Sequence, residues 1–138
     1  MGINYNPYSL EGKTILVTGA SSGIGRGAAI ECSKMGAKVI VTARNEERLK
    51  ETLSLMEGEE HEMRVCDLAD NNAIKAMVDT LPELQGVVNN AGFTTIQPIP
   101  FINEDVFMNI MQVNAMAPVL TLKYLLKKKK LKSGASVV

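Results

Sequence analysis

One stretch of this chain has residue types and spacing that suit a phosphorylated ligand. Thr14 to Gly25 reads T-I-L-V-T-G-A-S-S-G-I-G, a short apolar run that breaks into a glycine-dense turn, with a helical pattern opening directly behind it. Gly19 lets the chain leave the run sharply, Gly23 lets the backbone approach a phosphate with no side chain between, and Gly25 lets the helix lie close on its strand. The free N–H groups and positive end of such a helix face an anion. The chemistry served would be the binding of a dinucleotide pyrophosphate. A second feature is Asn114, four residues before Pro118. Proline has no N–H to bond the carbonyl of Asn114, so that oxygen is freed and the helix should kink. Either the freed oxygen has a use or the kink only shapes the helix around its neighbours.

The elements that must position these residues follow from periodicity. Thr14–Val17 and Lys38–Thr42 are continuous apolar strands, as in a sheet covered on both faces. Between them a helix is expected over Gly23–Met35, with Ile24, Ala28 and Cys32 at four-residue spacing on one face and Gly36 ending it. Asn45 caps a helix through about Met56, with Leu49 and Leu53 inward and Gly58 closing it. Glu62–Leu68 is a third strand, Asn71–Thr80 a helix carrying Ile74, Met77 and Val78 and stopped by Pro82, and Gly86–Asn89 a fourth strand. Ala91–Phe101, with Gly92, Pro98 and Pro100, is an irregular loop beside a site. Asn103 caps a long helix to about Lys130, with Glu104 and Asp105 in its first turn. That helix has two apolar faces, Val106/Ile110/Val113/Ala117/Leu120/Tyr124 and Met108/Met111/Ala115/Val119/Leu122/Leu126, so one face needs cover besides the sheet. Ser133-Gly134 is read as a turn, and Ala135–Val138 as the start of a fifth strand. Strands alternating with helices at these lengths imply βαβ units and a parallel sheet. Leu10, in a polar lead-in over residues 1–12, is placed under that sheet.

Composition narrows the partners. Fifteen basic and fifteen acidic residues cancel, which gives no overall field for nucleic acid or for a membrane surface. No apolar run approaches the roughly 20 residues of a spanning helix. Met1-Gly2 does not read as an acylation signal, because Asn6 stands where Ser or Thr is required. Cys32 and Cys66 are read as buried thiols suited to a reducing cytoplasm. With His61 read as a strand-end histidine, no metal site is expected.

Val87 to Gly92 reads V-V-N-N-A-G, about seventy residues beyond the glycine turn; Cys66–Leu68 (C-D-L) and Val113-Asn114 (V-N) stand in order with them. Together these pieces resemble the short-chain dehydrogenase/reductase family over nearly the whole chain from Leu10. The resemblance implies an α/β, Rossmann-like, three-layer parallel sheet of strand order 3-2-1-4 with a partial fifth strand beside the fourth. It implies that Gly19, Ser21, Ser22, Gly23, Ile24 and Gly25 form the phosphate turn and that Asp67 and Leu68 flank the adenine. Asn90, Ala91 and Gly92 would lie along the ribose, and Val113 would line the nicotinamide side. Asn114 would belong to the catalytic group through its main-chain oxygen. The family position that takes an acid in NAD users is Ala43 here, followed by Arg44, whose guanidinium suits a 2′-phosphate. NADP is therefore expected over NAD, although Arg44 could instead stack on adenine or pair with Glu46 or Glu47.

The resemblance further implies hydride transfer to or from a small carbonyl or alcohol, as in ketone or 3-oxoacyl reductases. The Ser and Tyr-x-x-x-Lys of that chemistry would lie past Val138. The chain is thus expected to be a single truncated dinucleotide-binding domain over residues 1–138, binding dinucleotide weakly or not at all and without turnover of its own. The alternative is a non-catalytic nucleotide-binding or self-associating fragment, with a homo-oligomer formed through the Asn103–Lys130 helix. Tyr124 and Lys128 also make a Tyr-x-x-x-Lys, but they lie ten residues past Asn114 on the same helix and read as packing. The lysine run 127–130 reads as the solvated carboxyl end of that helix.

Overall fold

The computed structural model describes residues 5–138, so the reading of Met1-Gly2 and the first residues of the lead-in lie outside the described residues. Strands β1 (Thr14–Thr18), β2 (Lys38–Ala43), β3 (Glu62–Val65), β4 (Leu84–Val88) and β5 (Leu131–Val137) form one parallel sheet in the order β3-β2-β1-β4-β5. The chain steps outward one way from β1 to β3 and the other way through β4 and β5. The switch between β1 and β4 opens a crevice at their carboxyl ends.

Alternation along the central strands divides the core in two. Leu16 and Ile40 point into one cluster with Ile74, Met77, Val78, Ala117 and Leu125; Ile15, Val17, Val39 and Val41 point into the other with Ala29, Leu49 and Met56. Helices α1 (Gly23–Lys34) and α2 (Glu46–Ser54) therefore cover one face, and α3 (Asn71–Thr80) and α5 (Ala117–Lys127) the other. This is the expected three-layer α/β sheet. Leu10 packs against the α1 side, as expected.

Several local expectations are corrected. The buried face of α1 is Gly25, Ala29 and Ser33, while Ile24 is 84% exposed. The helix approaches β1 so closely that its smallest residues, not its largest, face the sheet. Gly36 does end α1, at φ +93° with its N–H on the Ser33 carbonyl. Helix α2 stops at Ser54, before Met56, and Gly58 lies beyond its end. The third strand is only Glu62–Val65, because Cys66 onward turns into the loop that Asp70 closes by capping α3.

The long helix is three pieces: α4 (Glu104–Met111), a π turn (Gln112–Met116) and α5. The Ala117 N–H bonds the Gln112 carbonyl five residues back, a slip that sits immediately before Pro118. Pro118 has no N–H to offer either Asn114 four residues back or Val113 five back. The inner face of the segment is shifted from the expected one: Ala117, Thr121 and Leu125 are the buried residues of α5, and α4 buries none. Ala117 is buried and Val113, Leu120 and Tyr124 pack on the core, whereas Met108, Val119 and Leu126 are exposed.

Ser133-Gly134 is not the turn before the fifth strand. It lies inside β5, at a register irregularity where Leu84 pairs with Leu131 but Gly86 with Ser136. The reversal comes earlier, at Lys129, which adopts φ +55°. The lysine run is put to structural use there. Lys130 Nζ donates to the Val78 and Asp79 carbonyls at the end of α3, and Lys128 pairs with Asp79.

Candidate dinucleotide site

The crevice is a cleft of about 990 Å³ bounded by four loops that leave the carboxyl ends of the strands. The β1–α1 turn forms its floor. Gly19 and Gly23 have φ of +65° and +55°, and a Cβ on Gly23 would meet nothing within 4 Å, so the backbone borders open space there. A Cβ on Gly25 would collide with Asn90 Nδ2 and the Gly19 carbonyl. Ser22 stands at the N-cap of α1 without a side-chain bond to the helix, and no acid occupies the first turn. Those N–H groups keep both their hydrogen-bonding capacity and the positive end of the helix dipole.

Thr18 and Asn90 hold the floor to the back wall. Asn90 Nδ2 donates to the carbonyls of Thr18 (3.0 Å) and Gly19 (3.2 Å), and the N–H groups of Asn90 and Ala91 donate to Thr18 Oγ1 at 3.1 and 3.0 Å. Gly92 lies against the Asn114 side chain. Asn114 accepts the Phe93 N–H on Oδ1 (3.0 Å) and donates Nδ2 to the Phe93 carbonyl (2.9 Å), like one rung of a sheet. Its side chain is thereby committed to the loop after β4. Gln112, in the same π turn, donates to Asn71 Oδ1 (2.7 Å) and tethers this wall to the start of α3.

The remaining walls carry charge. Arg44 is exposed at the end of β2 and lines the cleft, and among the described residues it has no ion pair. Glu46 and Glu47, which were candidate partners for it, both pair with Lys50 instead. Opposite them, Asp67 accepts the Ala69 N–H on Oδ1 (2.9 Å), and Leu68 is buried beneath it. Burial, with Asp67 and Asp70 nearby, pushes the Cys66 thiol up to about 11. That thiol is a neutral wall group and not a nucleophile. His61 is a strand-end residue as expected: its Nδ1 accepts the Val39 N–H, and Nε2 lies 2.6 Å from the Glu57 carbonyl.

Gly19, Ser21, Ser22, Gly23, Ile24, Arg44, Asp67, Leu68, Asn90, Ala91, Gly92 and Val113 all line this one cleft; Gly25 and Asn114 stand immediately behind its walls. Sequence reasoning missed Arg48, Phe93 and Asn109, which also line it, and Thr18, which braces it. Arg48 left a cue: it is a cation in the first turn of α2, where the helix dipole disfavours one. Tyr124 and Lys128 are not part of the cleft; Tyr124 packs on the core and carries Lys123 over its ring.

A family model described as short chain dehydrogenase matches residues 13–138. An uncharacterized oxidoreductase of Thermotoga maritima is 36% identical over 134 residues, covering 94% of this chain and 53% of that protein. A 3-oxoacyl-acyl-carrier-protein reductase of Rickettsia felis is 31% identical over 119 residues, covering 86% and 49%. A solved short chain dehydrogenase of Shigella flexneri complexed with NADP has a TM-score of 0.80 at 32% identity, covering 88% of this chain and 55% of that one. A solved short chain dehydrogenase of Escherichia coli complexed with NADPH gives 0.80 at 32% identity, covering 89% and 55%. The chain spans about half the length of the curated relatives it matches. With the glycine turn, the parallel sheet and the crevice at its switch point, this match over nearly all of the sequence shows that the chain belongs to the short-chain dehydrogenase/reductase family of oxidoreductases.

Proposed function

We propose that the protein is an NADP-dependent oxidoreductase acting on a ketone or 3-oxoacyl carbonyl, and that this chain carries the cofactor half of its site. The observation behind the reading is the floor of the cleft, a glycine turn that leaves the amino end of α1 without a side-chain cap, beside an Arg44 that has no ion pair among the described residues. Gly19, Ser21, Ser22, Gly23, Ile24 and Gly25 hold the pyrophosphate, and Arg44 holds the 2′-phosphate. Asp67 and Leu68 flank the adenine, Asn90, Ala91 and Gly92 support the ribose, and Val113 lines the nicotinamide end. Bound there, the dinucleotide supplies or accepts the hydride. The main-chain oxygen of Asn114, denied an N–H by Pro118, is the one catalytic group assigned to this chain. The relatives solved with NADP and NADPH, and the 3-oxoacyl reductase of Rickettsia, support the cofactor and the substrate class. Two free cysteines are in keeping with a cytoplasmic protein.

Calorimetric titration with NADPH and NADH tests the reading. NADPH binds at least about tenfold tighter, and Arg44→Ala removes that preference; equal binding of the two overturns the choice of NADP. Catalysis is a separate matter. Tyr124 packs on the core and Lys128 pairs with Asp79, and no turnover of a small ketone is expected from these two residues. NADPH oxidation that Tyr124→Phe abolishes would overturn that expectation.

The outer face of α4 and α5 favours a second reading, a self-associating chain with nucleotide binding but no catalysis. Met108, Val119 and Leu126 are 63%, 60% and 62% exposed on one side of the Asn103–Lys130 segment. A homo-oligomer through this face is expected at about tens of micromolar, and a monomer in sedimentation there excludes it.

A further inference from the structure

The two parts of the cleft that hold phosphates on the proposed reading come from different βα units, and two side chains, Arg26 and Thr52, join them. Arg26, in the first turns of α1, is only 25% exposed although it carries a full charge. Its Nη2 donates to the Ser21 carbonyl in the glycine turn (2.7 Å), to the Arg48 carbonyl in α2 (3.2 Å) and to Glu51 Oε2 (3.0 Å). Its Nε donates to Thr52 Oγ1 (3.0 Å), and that hydroxyl lies 2.8 Å from the Ala20 carbonyl and 3.0 Å from that of Arg48. Thr52 is fully buried. One guanidinium and one hydroxyl thus gather carbonyls of the turn (Ala20, Ser21) and of the α2 wall (Arg48). Neither Arg26 nor Thr52 lines the cleft.

Two consequences follow from peptide geometry. Holding the Ser21 carbonyl fixes the plane of the peptide to Ser22, whose N–H points the opposite way from that oxygen. Holding the Arg48 carbonyl fixes the first turn of α2, on which Arg48 and the Asn45 cap border the cleft beside Arg44. The distance between the pyrophosphate turn and the basic wall is then set by the fork of Arg26, a rigid planar donor that a lysine cannot reproduce. We propose that Arg26 is a positioning residue for selectivity: it sets the spacing between the glycine turn and the Arg44–Arg48 wall and so favours a 2′-phosphorylated dinucleotide that it never touches. The proposal rests on the NADP reading given above.

The test compares binding of NADPH, NADH and 5′-AMP to the chain and to its Arg26→Ala and Arg26→Lys variants, with thermal melts alongside. In Arg26→Ala the NADPH-to-NADH affinity ratio falls about tenfold, while 5′-AMP, which needs only the adenine end, binds as before. Arg26→Lys keeps the stem and charge but gives up the fork, so its ratio falls between the two. A loss confined to stability would lower all three affinities together and leave the ratio alone, which would overturn the proposal. If Arg26→Ala does not fold, Arg26→Lys decides: an unchanged ratio overturns the proposal, and a ratio lowered by about threefold or more supports it. A starting chain that shows no preference for NADPH overturns the NADP reading and this proposal with it. A starting preference that survives in a folded Arg26→Ala overturns the proposal alone.

Discussion

At the end of β2, Asn45 opens α2 by accepting the Arg48 N–H on its own side chain, and Glu46 and Glu47 fill the first turn with negative charge. At the end of β1, Ser22 opens α1 with no such bond, no acid follows, and the approach is made through glycines at positive φ. α3 and α4 are likewise capped by a side chain, through Asp70 and Asn103. Ordinary helix starts in this chain satisfy their N–H groups locally, while the start of α1 leaves them for something else. The cleft lies over it. A helix end left open is a local cost, about 1 kcal/mol for a missing cap, that a bound anion can offset.

The comparison breaks most easily at Gly25. A Cβ there would collide with Asn90 Nδ2 and the Gly19 carbonyl, and neither can give way without moving β1 from β4. Gly25→Ala is expected to cost about 3 kcal/mol of stability and to abolish dinucleotide binding. Gly27, two residues further along the same helix, has nothing within 4 Å of its would-be Cβ, and Gly27→Ala is expected to stabilise by about 1 kcal/mol. Denaturant midpoints measure both. Equal effects would mean that close packing is not what the β1–α1 corner requires.

A sharper test exchanges the two kinds of helix start. Ser22→Asp gives α1 a cap and an acid, so the chain should become more stable by up to about 1 kcal/mol while its affinity for NADPH falls about tenfold or more. Asn45→Ala should cost about 1 kcal/mol and change affinity much less, since α2 uses its own cap. Opposite signs for stability and binding at Ser22, set beside a pure stability loss at Asn45, would show that the open end belongs to the ligand. Undiminished NADPH affinity in Ser22→Asp would refute that.

How much of this was legible depended on whether the cue was local. β1, β2 and α3 follow from apolar runs and stops, the strand order from the family resemblance, and the glycine turn from its spacing. The burial of α1 is not legible from periodicity, which selects large side chains such as Ile24, whereas close approach to β1 selects Gly25, Ala29 and Ser33. The start of β5 was misplaced for a related reason. The sharp reversal falls on Lys129, a residue type that does not advertise positive φ, and Gly134 serves an irregularity inside the strand. The break in the α pattern before Pro118 follows from one missing N–H; its form, a π turn, needs the surrounding packing. The clasp of Thr18 with Asn90 and the Arg26 fork span 72 and 22 to 26 residues respectively, separations across which no local pattern operates.

The smallest expected effect concerns two threonines that face each other in register, Thr18 at the end of β1 and Thr42 at the end of β2. The Thr18 hydroxyl accepts from the Asn90 and Ala91 N–H groups and donates to the Val88 carbonyl. The Thr42 hydroxyl is buried and, among the described residues, has no partner. A buried hydroxyl that makes no bond carries a desolvation cost without return, and valine matches its shape without that cost. Thr42→Val should therefore stabilise by about 1 kcal/mol, raising the Tm by about 3 °C in a chain of this size, with NADPH affinity unchanged. A lower Tm would show that an ordered water serves the hydroxyl; the β2 end would then be braced as the β1 end is, and the contrast between the two corners would narrow to their helix caps.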